Sequence, residues 1–334
     1  MKAWEIISDG GIDALHLAER PEPEPGHGEV KIRVRANTIN YRDLSTILDP
    51  VSRNIPYPQI ANSDCAGEIV SIGPGVTGFS AGDRVMGQLV QTWIDGSIAA
   101  RDMANSLGGT LDGVLAEYVV LPATGIVRMP SHMSFEQAAT LPCAALTAWN
   151  CLIAQCRILP GQDVLFLGTG GVSIFGLQIA RMAGARAIVT SSDDAKLERA
   201  RALGADDTVN YRKVPDWENA VLDLTGGRGV DASIEVGGAA TLPKTIAATR
   251  TGGSIALIGV LTKGQIDPTA IMRKSIHLHG VYCGSRRMFE EMVAAFEQAR
   301  IEPEIYQVLD FGDARQAYRT MLEASHIGKI VIRV

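Results

Sequence analysis

Cysteine is scarce in this chain. Five occur in 334 residues, Cys65, Cys143, Cys151, Cys156 and Cys283, and no two are spaced Cys-x-x-Cys. An odd, sparse set argues against a disulfide framework and for reduced thiols in a cytoplasmic protein. Long apolar runs are also missing. The most apolar stretch, Val164 to Ala180, is interrupted by Gly168, Gly170, Gly171 and Gln178, which makes it a poor membrane span. The N-terminus carries Glu5 and Asp9 where a secretory signal needs an apolar core. Positive charge is not in excess: the net charge of −6 gives no footprint for nucleic acid or an anionic membrane. There is no internal repeat, low-complexity tract or long charge run. What remains is a chain long enough for about two domains, whose expected partner is a small molecule.

The first third reads as β-rich. Val30–Ala36 alternates with period two, and Gly67–Gly73 and Gly82–Gly87 are short strands bounded by glycine turns. The middle changes character. Ser134 precedes a helix beginning at Phe135, as an N-cap should, and Leu146–Ile153 reads as helical. Asp163–Leu167, Ala187–Thr190, Val230–Val236 and Ser254–Ile258 are apolar runs suited to strands covered on both faces. Asp193–Leu203, ending at Gly204, is an amphipathic helix among them. Such alternation implies an α/β fold with a doubly wound parallel sheet. The last fifty residues return to mixed structure, with a helix over Met288–Ala299 and a closing strand at Lys329–Val334. The simplest account is a split domain, residues 1–122 and 285–334, with a nucleotide-binding domain over 123–284 inserted between its halves.

The most informative segment is Gly168-Thr169-Gly170-Gly171-Val172-Ser173, which follows a predicted strand and opens a predicted helix. The first glycine permits a tight turn and the second lets the backbone approach a pyrophosphate. The phosphates then rest on a helix N-terminus. Ser173 stands at the third glycine position, so the fingerprint of a Rossmann dinucleotide site is met imperfectly. About 20 residues on, an NAD site carries an acid for the ribose 2′-hydroxyl. Here Ser191 aligns with that acid, followed by Ser192 and, one turn into the next helix, Lys196. Hydroxyls and an ammonium suit a 2′-phosphate, so the expected cofactor is NADP(H). Asp193 and Asp194 oppose this unless they serve as helix caps, and Lys196 also has the plainer reading of an exposed helix lysine.

With these motifs go Asn40-Tyr41-Arg42-Asp43-Leu44, Ser63-Asp64-Cys65-Ala66-Gly67-Glu68-Ile69-Val70, Gly82-Asp83-Arg84-Val85, Leu141–Trp149, Leu203-Gly204-Ala205, Asn210-Tyr211-Arg212 and Gly328-Lys329-Ile330-Val331. In this order and spacing, the chain resembles the zinc-independent, quinone-oxidoreductase-like branch of the medium-chain dehydrogenase/reductase superfamily. The resemblance implies a GroES-like, β-rich catalytic domain split around the Rossmann domain, and a homodimer joined through an edge strand near Ser275–Cys283. It also implies roles. Lys196 and Tyr211 match contacts to the NADP 2′-phosphate, and Asn40 and Thr147 match positions beside the nicotinamide. Gly259 and Val260 match a backbone segment near the ring. By themselves, Tyr211 would read as a surface aromatic and Thr147 as a helix hydroxyl.

Zinc-dependent members of that superfamily place a Cys where this chain has Asn40 and a His where it has Ser63; the third ligand position matches Cys143. One soft ligand cannot hold zinc tightly, and the segment matching the four-cysteine structural site, residues 91–112, has no cysteine. His277 and His279 share a strand face, as an ordinary pair or half a metal site. The expected reaction is therefore metal-free hydride transfer from NADPH to an α,β-unsaturated carbonyl or a quinone. Asn40 would be the hydrogen-bond donor to the developing oxyanion, and Asp64 an acid or orienter, or a structural residue at a strand start. A carbonyl or alcohol redox enzyme and a non-catalytic NADPH-binding sensor or structural protein are the competing readings.

Overall fold

A computed structural model describes residues 1–259 and 261–334. The chain forms two compact units, Met1–Leu146 with Gly284–Val334, and Thr147–Cys283. In chain order the first unit contributes β1 (Lys2–Ile6), β2 (Leu15–Glu19), β3 (Glu29–Ile39), β4 (Gln59–Ile60), β5 (Asp64–Ile72), β6 (Arg84–Gly87), β7 (Tyr118–Pro122) and β8 (Ile126–Arg128). The second contributes β9 (Asp163–Leu167), β10 (Arg186–Ser191), β11 (Asp207–Asn210), β12 (Val230–Glu235), β13 (Thr249–Leu257) and β14 (His277–Gly280). The first resumes with β15 (Ile305–Asp310) and β16 (Lys329–Arg333).

In the first unit, β2-β1-β4 form a small sheet beside a larger one ordered β15-β16-β3-β5-β6-β8, with β7 also paired to β3. β3 is the hub. Its far end meets β16 at Ile39↔Ile330 and β5 at Thr38↔Asp64, so segments remote in sequence converge there. Trp4, Leu44, Ile47, Tyr318 and Ile330 share one buried apolar cluster, and Val30, Ile32, Ile69, Val85 and Ile126 share another. The split reading placed residues 123–146 in the nucleotide-binding part, but they cluster with the first unit. The physical reason is local pairing: β8 hydrogen-bonds to β6, and Thr38 Oγ1 donates to the Ala139 carbonyl at 3.0 Å. No apolar-pattern argument could register those contacts.

The second unit is a parallel sheet ordered β11-β10-β9-β12-β13-β14. The chain winds outward from β9 through β10 to β11, then returns to start again at β12. That reversal leaves a crevice beyond the carboxyl ends of β9 and β12, where open α/β sheets bind ligands. Leu165, Ile188, Val209, Trp217 and Val221 pack on one side of the sheet, in keeping with strands that read as continuous apolar runs. Helical structure covers the expected Leu146–Ile153 and continues to Gln155, but after Trp149 it widens, with Cys156 N–H reaching the Cys151 carbonyl at 2.9 Å.

Candidate functional site

In the second unit, β9 ends at Leu167, and Gly168 turns the chain with φ +71° into the left-handed region, where a side chain would be strained. Gly170 then caps the helix Gly171–Met182. A Cβ added at Gly168 or Gly170 would meet no protein atom within 4 Å. The absence of side chains here is therefore not a packing requirement; it keeps the space over the helix N-terminus clear. The first helical amides point into that space without intrahelical partners. Ser173 behaves differently from a third phosphate-binding position: it is buried, and its hydroxyl donates to the Leu167 carbonyl at 2.7 Å. Its side chain clamps strand to helix, the packing role a third glycine would otherwise fill.

Register puts the other candidates along the same sheet edge. Leu167 pairs with Thr190, so Gly168 and Ser191 leave their strands level with one another. Tyr211 N–H donates to the Ser191 carbonyl at 3.1 Å, tying the end of β11 to that of β10. Ser191 is buried, Ser192 and Lys196 are half-buried, and Tyr211 is exposed. Burial lowers the Lys196 pKa, while Asp193 opposes the shift. Both aspartates are engaged. Asp193 Oδ1 accepts from the Ala195 and Lys196 amides at 2.7 and 3.3 Å, as an N-cap does. Asp194 pairs with Lys213 and accepts from Asn210 Nδ2 at 2.6 Å. Thr147 is buried in Leu146–Trp149, the first residue of this unit. Gly259 lies beyond β13, where a Cβ would fall 1.7 Å from the Val236 carbonyl oxygen, so only glycine fits. Val260 lies outside the described residues. A cavity of about 390 Å³ lined by Arg181, Gly184, Ala185, Gly204, Ala205 and Asp206 opens at the opposite edge, ahead of β10 and β11, away from these groups.

The first unit gathers Asn40, Ser63 and Asp64 around Lys329, the first residue of β16. Asn40 lies between β3 and the helix Tyr41–Leu48, at the helix N-cap, its own N–H held by Asp43 Oδ2 at 2.8 Å. Lys329 is only 2 % exposed. Its Nζ donates to the Ile39 carbonyl at 3.0 Å and to Asn40 Oδ1 at 2.5 Å, and stands 4.0 Å from Asp64 Oδ2. An ammonium has donors only, so it fixes which end of the Asn40 amide faces it and turns Nδ2 toward Ser63 Oγ, 3.4 Å away. Asp64 is wholly buried. It accepts from Thr38 Oγ1 at 3.4 Å, Ser63 Oγ at 3.4 Å and Cys143 N–H at 3.3 Å, all long bonds. Burial pushes its pKa up to about 6; Lys329 lowers it, Asp43 raises it, and Asn40 and Arg42 lower it. The cluster thus holds an oriented amide donor and a carboxyl that changes protonation near neutrality.

Comparison with known proteins adds to this geometry. Residues 26–131 match the alcohol dehydrogenase GroES-like domain family, and residues 171–298 the zinc-binding dehydrogenase family. A zinc-type alcohol dehydrogenase-like protein of Schizosaccharomyces pombe is 40% identical over 333 residues, 97% of this chain and 96% of that protein. The chain belongs to the medium-chain dehydrogenase/reductase superfamily. A solved NAD-dependent alcohol dehydrogenase is 34% identical, with TM-score 0.91 and 100% of each chain covered. A mycobacterial protein solved with NADPH is 26% identical, with TM-score 0.85 over 100% of each chain.

This superfamily member is an oxidoreductase, and its Rossmann unit is the part that takes a nicotinamide cofactor. The open glycine turn fits such a group. Zinc, which the matched family's description names, fits poorly. Asn40 and Ser63 offer neutral oxygens or nitrogen where thiolate or imidazole is preferred, and the Lys329 cation already sits among them. Among the described residues no three His, Cys, Asp or Glu side chains gather into a metal-binding group. The sequence signal for Lys329 is a lysine opening an apolar run, Lys329-Ile330-Val331-Ile332. That it meets Asn40 and Asp64, distant in the chain, has no signal in local spacing.

Proposed function

We propose that this oxidoreductase is an NADPH-dependent reductase of α,β-unsaturated carbonyl compounds or quinones, working without catalytic zinc. The observation that carries the cofactor half is the sheet edge running from Gly168 to Tyr211. There the glycine turn is clear of side chains, Ser191, Ser192, Lys196 and Tyr211 follow at the ends of β10 and β11 as the proposed 2′-phosphate residues, and both nearby aspartates are held, Asp193 by backbone amides and Asp194 by Lys213. The residues proposed to hold the coenzyme are Gly168, Gly170, Gly171 and Val172 by backbone, the Ser173 amide, the four 2′-phosphate residues, Thr147, Gly259 and Val260.

The bound nicotinamide supplies the hydride. The protein's own task is then to manage the negative charge that collects on the substrate's carbonyl or quinone oxygen. Asn40 Nδ2 is the proposed donor to that oxygen, held ready by Lys329 so that no reorientation is needed as charge develops. Asp64, with a pKa near 6, is the proposed store for the proton that completes reduction. The ammonium of Lys329 offsets the charge left on Asp64 when that proton departs. We further propose a homodimer joined through β14, the edge strand of the Rossmann sheet.

The test is direct. NADPH and NADH are titrated separately, then absorbance loss is followed with enones, quinones and aldehydes. Turnover of enones or quinones with NADPH preference is expected. The similar NAD-dependent alcohol dehydrogenase favours a second reading, a carbonyl or alcohol redox enzyme. Turnover of aldehydes or alcohols alone, with NADH preferred, would establish it. Lys196→Ala should weaken NADPH about tenfold while leaving NADH unchanged, and equal losses for both would remove Lys196 from the 2′-phosphate site.

A further inference from the structure

Glu235 closes β12 with no exposed surface and no ion pair among the described residues. Its carboxylate is instead wrapped in neutral donors. Oε1 accepts from the Gly237 N–H at 2.7 Å, the Gly238 N–H at 3.1 Å and Thr241 Oγ1 at 2.6 Å, and Oε2 accepts from Thr245 Oγ1. Its carbonyl oxygen accepts both Ile258 and Gly259 N–H, each at 3.1 Å, from the end of the neighbouring strand β13. A second set of bonds joins the two strand exits. Thr262 N–H and Oγ1 both donate to the Gly237 carbonyl, at 2.9 and 2.7 Å, and Thr262 Oγ1 accepts from Ala240 N–H at 2.9 Å. The packing leaves no room to spare: a Cβ at Gly237 would lie 2.3 Å from Thr241 Oγ1.

The position of this knot matters. Ile234 pairs with Phe166, so Val236 leaves β12 level with Gly168 leaving β9, across the crevice where the strand order reverses. A dinucleotide with its pyrophosphate on the Gly168 turn and its adenosine ribose by Ser191 on β10 must send its other half toward β12 and β13. The backbone it meets there is the backbone Glu235 ties down.

We propose that Glu235 is a positioning residue for the nicotinamide half of the coenzyme, setting the backbone at Gly237–Gly238 and Gly259 against which that half lies. The proposal rests on the dinucleotide reading above. Glu235→Gln keeps one oxygen for the Gly237, Gly238 and Thr241 donors, and the Thr245 hydroxyl can turn to accept from the new amide. Glu235→Ala leaves the Gly237 and Gly238 amides without an acceptor, while the Thr241 and Thr245 hydroxyls keep the Gly238 and Thr241 carbonyls.

The experiment uses two probes on the full chain: NADPH, and 2′-phospho-ADP-ribose, which lacks only the nicotinamide. Glu235→Ala should raise the Kd of NADPH about tenfold, the scale expected when buried donors lose their acceptor. The Kd of 2′-phospho-ADP-ribose should stay within about twofold, and Glu235→Gln should bind both as the unchanged protein does. Equal weakening of both probes, or of neither, overturns the proposal. Should Glu235→Ala fail to fold, Thr262→Val removes the exposed end of the same knot. It should show the same split, with Thr262→Ser restoring NADPH affinity, and no split there is equally decisive against the idea. If the unchanged protein binds neither probe, the dinucleotide reading itself falls and this one with it.

Discussion

Asp64 has no exposed surface, and that burial is the largest influence raising its pKa to about 6 from 3.8. The folded chain therefore binds this proton more tightly than the unfolded chain does. Its contribution to stability is complete below pH 3.8 and is lost as pH rises through about 6. Asp64→Asn removes the titration. The stability of this variant relative to the unchanged protein should improve by about 2 kcal/mol between about pH 4.5 and about pH 7.5. Urea unfolding at both pH values checks it, and a gap that does not move with pH would contradict the assignment. Lys329 makes the complementary case. Lys329→Met takes away the cation beside Asp64 and frees the Asn40 amide to rotate, so kcat should fall by about tenfold or more with KM little changed. Lys329→Arg should recover part of the loss. A fall in KM affinity without loss of kcat would place Lys329 outside the reacting region.

At the scale of an element, the strand–turn–helix at β9 separates two readings of a glycine-rich turn. Gly168 needs its left-handed φ, whereas Gly170 has an ordinary extended conformation and open space where a Cβ would go. Gly170→Ala should therefore fold with a stability change within about 0.5 kcal/mol. The added methyl would stand in the space assigned to the pyrophosphate, so coenzyme affinity should drop by about tenfold or more. Thermal unfolding without ligand, paired with a coenzyme titration, measures both quantities. Unchanged affinity would mean the turn is clear for some other reason. The wide turns at Leu141–Ala145 and Asn150–Gln155 are the least legible elements. Pro142 lacks the N–H of a regular helix, but where the Cys143 N–H goes depends on Asp64, 79 positions earlier.

For the molecule as a whole, the acidic balance and the β14 edge bear on assembly. A net charge of −6 favours solubility but leaves self-association to local surfaces. On β14, His277 and His279 stack with ring centroids 6.3 Å apart, and burial, then His277, lowers the His279 pKa. Among the described residues β14 has no partner on its outer edge, and a strand with such an edge, carrying the half-buried Leu278 and His279, is suited to pairing with its own copy. Light scattering should give twice 35.6 kDa at neutral pH. A mass of one chain would dispose of the dimer.

Local pattern alone determined the existence and kind of the central elements. Alternation located most of β3, continuous apolar runs located β9 and β10, and a glycine turn between strand and helix located the nucleotide edge, because those signals lie within a few residues of one another. Tertiary structure alone decided which polar groups meet. Lys329 reaches Asn40 across 289 positions, and the Glu235 carbonyl receives the Ile258 and Gly259 N–H groups from the end of a second strand. Side-chain chemistry names what a residue can donate or accept. Sheet register decides what is there to receive it, and register between distant segments leaves no trace in local spacing.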